Sequence, residues 1–288
     1  MGNLMAIIGG SGIKDSPLFE KVKWKSIDTG FSNGFGNGSV EYQENNGITF
    51  IPRHGNEIRY GPSKTQYGAN LIAAKLLGAE VVIATSCVGS LARDIKPGDL
   101  VFPDDYVDET GRDDNLYGKG LVVHANPRPA FSEELRAIMI EEILKFRKQG
   151  SNLRYGDRAT TYVCIPGDRF GTDAEGRKRR RYADIVGMTI CPEASMAMQL
   201  GLHYAVVAFS VDSDFDARHV NTLRVMNELS QPDKVPAFIS RVVEKVKKHD
   251  FPDKLYQLEG NIIPGNIKGI SNPNLRKFAE GLVSKYCS

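Results

Sequence analysis

Several things are missing from this sequence, and each absence excludes a class of protein. No apolar run approaches the length of a membrane span, and the opening MGNLMAIIGG is broken by Gly9 and Gly10 too early for a secretion signal. There is no C-x-x-C pair. Cys87, Cys164, Cys191 and Cys287 are widely spaced, the first three in apolar strand-like stretches that read as buried, reduced thiols. No His and Cys residues cluster at ligand spacing, so no metal is expected, and without a G-x-G-x-x-G fingerprint a nicotinamide cofactor is disfavoured. Repeats, low-complexity tracts and clear linkers are absent too. The net charge is +2, with no broad basic face, so neither nucleic acid nor a membrane is an expected partner. The expectation is a single α/β domain over residues 1–288, working in the cytoplasm.

What is present is organised around Tyr204–Asp216, YAVVAFSVDSDFD. From Tyr204 to Val211 every residue but Ser210 is apolar or aromatic, the pattern of a parallel strand covered on both faces. Asp212, Asp214 and Asp216 follow at alternate positions, on one side of an extended chain. Two readings stand: a solvated acidic loop, or a coupled pair in which one carboxyl is raised in pKa and serves as a general acid.

Other strands end in residues suited to anions. Leu4–Ile8 runs into Gly9-Gly10-Ser11-Gly12, a turn whose N–H groups can converge on one point. Thr49–Pro52 delivers Arg53-His54-Gly55, and a guanidinium fork matches phosphate. Pro62 is expected to start a helix that Gly78 ends, and Glu80–Thr85 a strand that exits into Ser86-Cys87-Val88-Gly89-Ser90. Residues 104–130 read as a polar, mobile loop containing His124. Ser132 caps a helix over Glu133–Lys148, with acids in its first turn and bases in its last. Strand Thr160–Ile165 leads to Pro166–Thr172, where Phe170 offers an aromatic face, and Arg177–Arg181 reads as a solvated helix end or an anion or subunit contact. Strand Ile185–Thr189 and a helix after Pro192-Glu193 precede the organising strand, and C-terminal helices occupy 236–288. Strand and helix alternate, so the fold expected is a mixed, largely parallel sheet flanked by helices, with ligands at the carboxyl ends of the strands.

The same exits carry a resemblance. Ile7–Gly12, Arg53-His54-Gly55, Cys87–Leu91 with Pro97-Gly98-Asp99, Gly167–Phe170, Gly187–Thr189 with Pro192-Glu193, and Val211–Asp214 resemble, in this order, the purine nucleoside phosphorylase family and its methylthioadenosine phosphorylase branch, over about residues 4–225. The resemblance implies a nucleoside phosphorylase-like fold and a pentosyltransferase of purine salvage, in which phosphate displaces a purine from ribose. Phosphate would then be a co-substrate, and no cofactor is implied. Ser11, Arg53, His54, Ser86 and Thr189 match the family's phosphate contacts, Met188 the residue under the ribose, Phe170 a base-stacking residue, and Cys87 a backbone lining the base pocket. Asp212 and Asp214 match an acid pair in which one carboxyl protonates purine N7 and the other accepts from a 6-amino group. His124 matches a residue that reaches a neighbouring subunit, which implies a trimer or a dimer of trimers.

Three positions depart from the pattern. Ile58 stands where the family usually has His, Gly187 where this branch typically has Asn, and Asp168 where Pro is common. Alternatives to methylthioadenosine phosphorolysis are therefore action on 6-oxopurine nucleosides or methylthioinosine, a hydrolase on the same fold, and a non-catalytic nucleoside-binding protein.

Overall fold

The computed structural model describes residues 4–10, 18–32, 36–156, 158–215 and 221–287. The first half of the chain comprises β1 (Met5–Gly9), β2 (Lys25–Asp28), β3 (Ser39–Asn45), β4 (Ile48–Pro52), helix α1 (Tyr67–Leu76) and β5 (Val81–Ser90). Next come β6 (Asp99–Val101), β7 (Asp105–Asp108), β8 (Leu121–Val123), α2 (Glu133–Lys148), β9 (Arg154–Tyr155) and β10 (Thr161–Cys164). Helix α3 (Asp173–Arg179), β11 (Ile185–Gly187), α4 (Glu193–Gln199) and β12 (His203–Ser213) follow, then α5 (Thr222–Leu229), α6 (Val235–Val246), β13 (Ile262–Pro264) and α7 (Pro273–Tyr286).

All strands but β8 and β13, which pair with each other, belong to one mixed sheet in which β1 and β12 both run parallel to β5. This is the mixed, largely parallel sheet with flanking helices that the alternating pattern predicts. Its hub is β5, which alone among the described strands meets three others: β1 and β11 share one edge, and β12 takes the other. Pairing with β1 stops at Ala84, and antiparallel pairing with β11 begins at Gly89. Between them, Thr85–Val88 have no strand partner on that edge among the described residues. Such a change of neighbour opens a crevice at the carboxyl end of the strands.

The strand containing Ser86 and Cys87 is longer than its sequence suggests. Small hydroxyl-bearing residues signal a turn, but here they remain in β5 because β12 pairs with it continuously to Val88. In β12 itself only Phe209 and Asp212 are less than buried. A bulge between Ser210 and Asp212 shifts the register, so that Asp212 lies opposite Gly89, and bulges of this kind re-aim a side chain. Asp214 falls just past the strand's end, in a turn, and Asp216 lies outside the described residues.

Helix α2 has the bounds its caps dictate: the Ser132 side chain accepts from Leu135 N–H, and Lys145, Arg147 and Lys148 close its last turn. The helix expected from Pro62 divides instead. Pro62–Lys64 is a 3-10 turn, Thr65 is extended, and α1 starts at Tyr67 with nearly every side chain buried. Residues 104–130 are not a mobile loop, since they supply β7, paired with β10, and β8, paired with β13.

Candidate active site

Arg53 emerges from β4 into the sheet's interior, where its side chain is 2% exposed. Its Nε and Nη2 donate to the two carboxylate oxygens of Glu193 at 2.8 Å each, Nη1 to the Thr85 carbonyl at 2.6 Å, and Nη2 also to the Ile8 carbonyl at 3.1 Å. Burial alone would lower the Arg53 pKa, but the Glu193 carboxylate overrides it and holds the guanidinium above its ordinary value. Tyr204 donates to Glu193 Oε1 at 2.8 Å. The planar fork that the sequence suggests for phosphate is thus closed on a carboxylate. Arg53 ties β1, β4, β5 and α4 together beneath the crevice.

His54 follows. Its Nδ1 lies 3.0 Å from both the Tyr60 carbonyl and the Thr65 hydroxyl. A carbonyl only accepts, so Nδ1 carries the hydrogen and Nε2 is the acceptor in the neutral ring. Burial first, then the Arg53 charge, bring its pKa down to about 4, so the ring is neutral at working pH.

Ser86, on the open part of the β5 edge, has its hydroxyl 3.0 Å from the Tyr162 hydroxyl and 3.1 Å from that of Thr189, and all three residues are buried. Met188 is half-buried, and its sulfur packs against Gly167 so closely that a Cβ there would sit 2.9 Å away. Cys87 is half-buried, its thiol pushed up to about 12 by burial. Ser11 lies outside the described residues.

The acidic end is more open. Asp212 has its pKa raised, by burial first and then by the Asp214 charge, against a 2.7 Å bond from Ser213 N–H that favours the ionised form. Asp214 is ion-paired with Arg180 and lies against Gly176, one helical turn earlier. Arg180 and Arg93 both lie over the Phe215 ring, at 4.9 and 4.5 Å. The basic run is therefore no uniformly solvated helix end: Arg179 donates to Glu109 at 2.9 Å, while Arg180 reaches the acids. Phe170, 75% exposed, stands on a loop fixed by the Arg169–Glu175 pair at 2.8 Å and by a Thr172–Glu175 capping box. His124 is exposed beyond β8, its backbone N–H donating to the Asn261 carbonyl at 2.8 Å.

Of the three departures, Ile58 is 68% exposed and takes a φ of 53°, which β-branched residues rarely adopt. Asp168 accepts from the Ser63 hydroxyl at 2.8 Å. Gly187 faces Tyr162 directly.

Sequence reasoning missed Glu193, Tyr162 and Arg112. Glu193 stands in the sequence only as part of Pro192-Glu193, a helix start and a motif of the resemblance with no role given to it, and Tyr162 reads as ordinary strand core. Arg112, within the supposed loop, donates to the carbonyls of Met188 at 2.9 Å and Cys191 at 2.6 Å and also to Pro166, holding two strand exits together. Among the described residues, no group of three or more His, Cys, Asp or Glu could hold a metal ion, and no helix is long and apolar enough to cross a membrane.

The arrangement places anion-compatible hydroxyls and an imidazole at one end and a raised carboxyl at the other. Comparison with known proteins gives the lineage. A sequence profile of the phosphorylase superfamily matches residues 5–248. S-methyl-5'-thioadenosine phosphorylase from Pyrococcus horikoshii is 38% identical over 251 residues, spanning 84% of this chain and 92% of that protein. The enzyme of that name from Saccharolobus solfataricus is 35% identical over 250 residues, 84% and 90% of the two chains. Among solved structures, a methylthioadenosine phosphorylase from an antarctic soil metagenomic library superposes with a TM-score of 0.81 at 28% identity, covering 98% of this chain and 99% of that one. A Schistosoma mansoni adenosine/methylthioadenosine phosphorylase mutant in complex with methylthioadenosine gives 0.76 at 27% identity, covering 99% and 98%. The chain belongs to the phosphorylase superfamily, within its methylthioadenosine phosphorylase branch.

Proposed function

We propose that the protein catalyses phosphorolysis of 5'-methylthioadenosine, giving adenine and 5-methylthioribose 1-phosphate. The observation that carries this reading is the division of the crevice. Ser86 and its hydroxyl partners lie on the open edge of β5, where Arg53 also bonds the Thr85 carbonyl, while a carboxyl with raised pKa lies opposite Gly89, roughly 10 Å further along the strand from Ser86 at about 3.3 Å per residue.

In this reading Ser86, Thr189 and Ser11 donate to phosphate, and Nε2 of His54, without a partner among the described residues, accepts a hydrogen bond from the monohydrogen dianion. Arg53 stands behind them as fixed positive charge. A phosphate oxygen attacks the anomeric carbon as the bond to N9 breaks. The bonding pair passes into the purine, and Asp212 delivers its proton to N7, so the base leaves neutral. Asp214, oriented by Arg180, accepts from the 6-amino group. Met188 lies under the ribose, Phe170 stacks on the base, and the Cys87 backbone lines its pocket. His124, exposed away from its own crevice, serves that of a neighbouring copy in a trimer or a dimer of trimers. Four free thiols support a reducing, cytoplasmic setting.

The test is purine release from methylthioadenosine, adenosine and inosine, each with and without phosphate. Phosphate-dependent release, fastest from methylthioadenosine, is expected. Preference for inosine would move the assignment to a 6-oxopurine enzyme, release independent of phosphate to a hydrolase, and no release at all would leave a binding protein.

A further inference from the structure

Tyr162 is absent from every role assigned above, yet it is a fully buried tyrosine whose hydroxyl lies 3.0 Å from that of Ser86, which in turn lies 3.1 Å from that of Thr189. Its place depends on Gly187. A Cβ built at Gly187 would lie 2.5 Å from Tyr162 Cζ, closer still to the hydroxyl, and 3.2 Å from Val88 Cγ1. A tyrosine at 162 and any side chain at 187 are mutually exclusive in this backbone. The glycine is the condition for the phenol to reach Ser86.

Direction matters in such a cluster. Ser86 and Thr189 each carry one proton, and their oxygens are 3.1 Å apart. Left alone, one would donate to the other, and that donor would be lost to an incoming anion. The phenol is the most acidic of the three hydroxyls and hence the best donor. When Tyr162 donates to Ser86 Oγ, the Ser86 proton is left to the Cys87 carbonyl at a long 3.4 Å or to an incoming anion, and Thr189 keeps its own. We propose that Tyr162, admitted by Gly187, is a positioning residue that orients the Ser86 and Thr189 hydroxyls as donors to phosphate. This rests on the phosphorolytic reading of the site. It also gives the departure at position 187 a chemical content: the volume of a side chain is exchanged for a hydroxyl delivered from the neighbouring strand β10.

The experiment compares wild type with Tyr162→Phe, measuring the KM for phosphate and for methylthioadenosine and, without turnover, calorimetric binding of inorganic phosphate. Tyr162→Phe is expected to weaken phosphate about five- to tenfold, the effect of one misdirected hydrogen bond to an anion, with the methylthioadenosine KM unchanged. Equal shifts in both KM values, or no shift, would overturn the proposal. Should Tyr162→Phe fold poorly, a fluorinated tyrosine at 162 keeps the ring's shape and strengthens the donor: tighter phosphate binding is expected, and unchanged affinity would overturn it. Gly187→Ala, whose methyl displaces the phenol, is expected to reproduce the loss of phosphate affinity. Failure of wild type to release purine would sink the functional reading alone, because the phosphate affinities still decide the part played by Tyr162.

Discussion

The two ends of the crevice are built differently. At the end proposed for phosphate Arg53, His54, Ser86, Tyr162, Thr189 and Glu193 come from the exit of β4, β5, β10, the exit of β11 and α4 and are mostly buried; Arg53 is paired with Glu193, Ser86 with Tyr162 and Thr189, and His54 Nδ1 with Tyr60 and Thr65. At the acidic end Asp212, Asp214, Phe170 and Arg180 sit at strand ends and on loops, half-buried or exposed. In the reading proposed above, the small phosphate ion is met by a pre-paired cradle, whereas the base must enter and leave through half-exposed surfaces that can move. Rigidity here is a property of where the hydrogen bonds end.

Four changes would break or sharpen that contrast. Asp212→Asn, which removes the raised acid, is expected to lower kcat for methylthioadenosine by about 10²- to 10⁴-fold with thermal stability kept; activity within a factor of two would leave the acidic end without its function. Glu193→Ala should act on the other end as a stability lesion, since it strands the buried Arg53 charge: a loss of about 3–5 kcal/mol in denaturant unfolding, where a surface-like loss below about 1 kcal/mol would contradict the rigid cradle.

His54 yields a pH signature. Its folded pKa of about 4 lies below the ordinary value of 6.5, so between these values the unfolded chain binds the proton that the folded one refuses. The His54 contribution is complete above pH 6.5, is lost as pH falls toward 4, and reaches about 3 kcal/mol. Unfolding measured across that window should fall more steeply for wild type than for His54→Asn, which retains a donor in place of Nδ1; parallel curves would remove the neutral imidazole. The smallest effect is expected from Arg180→Gln. A half-exposed ion pair is worth about 0–1 kcal/mol, so the KM for methylthioadenosine should rise by about fivefold at most, with the phosphate KM unmoved.

The parts that were legible in the sequence are those governed by local chemistry. Ser132 and the flanking charges give α2 its bounds, and the apolar run gives β12. The acids after it, and the residues at the other exits, point to a crevice before any coordinate is known. What escaped depends on partners far away in the chain. Arg53 reads as a bare fork until Glu193, 140 residues later, pairs with two of its nitrogens. Ser86 reads as a turn until β12 extends β5 past it. Residues 104–130 look like solvent-exposed loop because β7 needs β10 to become a strand. Tyr162 is indistinguishable from core unless Gly187 is known to leave it room.

The four residues of β5 that pair only with β12 among the described residues, Thr85–Val88, leave about 13 Å of sheet edge that β1 and β11 decline to cover. The chamber is thus measured out by the lengths of β1 and β11, a matter of where backbone zippers stop. Point substitutions can retune what the chamber prefers, but an insertion that let β1 run a few residues further would zip it shut with every reacting group still present. In this lineage the junction after Gly9 should tolerate changes of residue far better than changes of length.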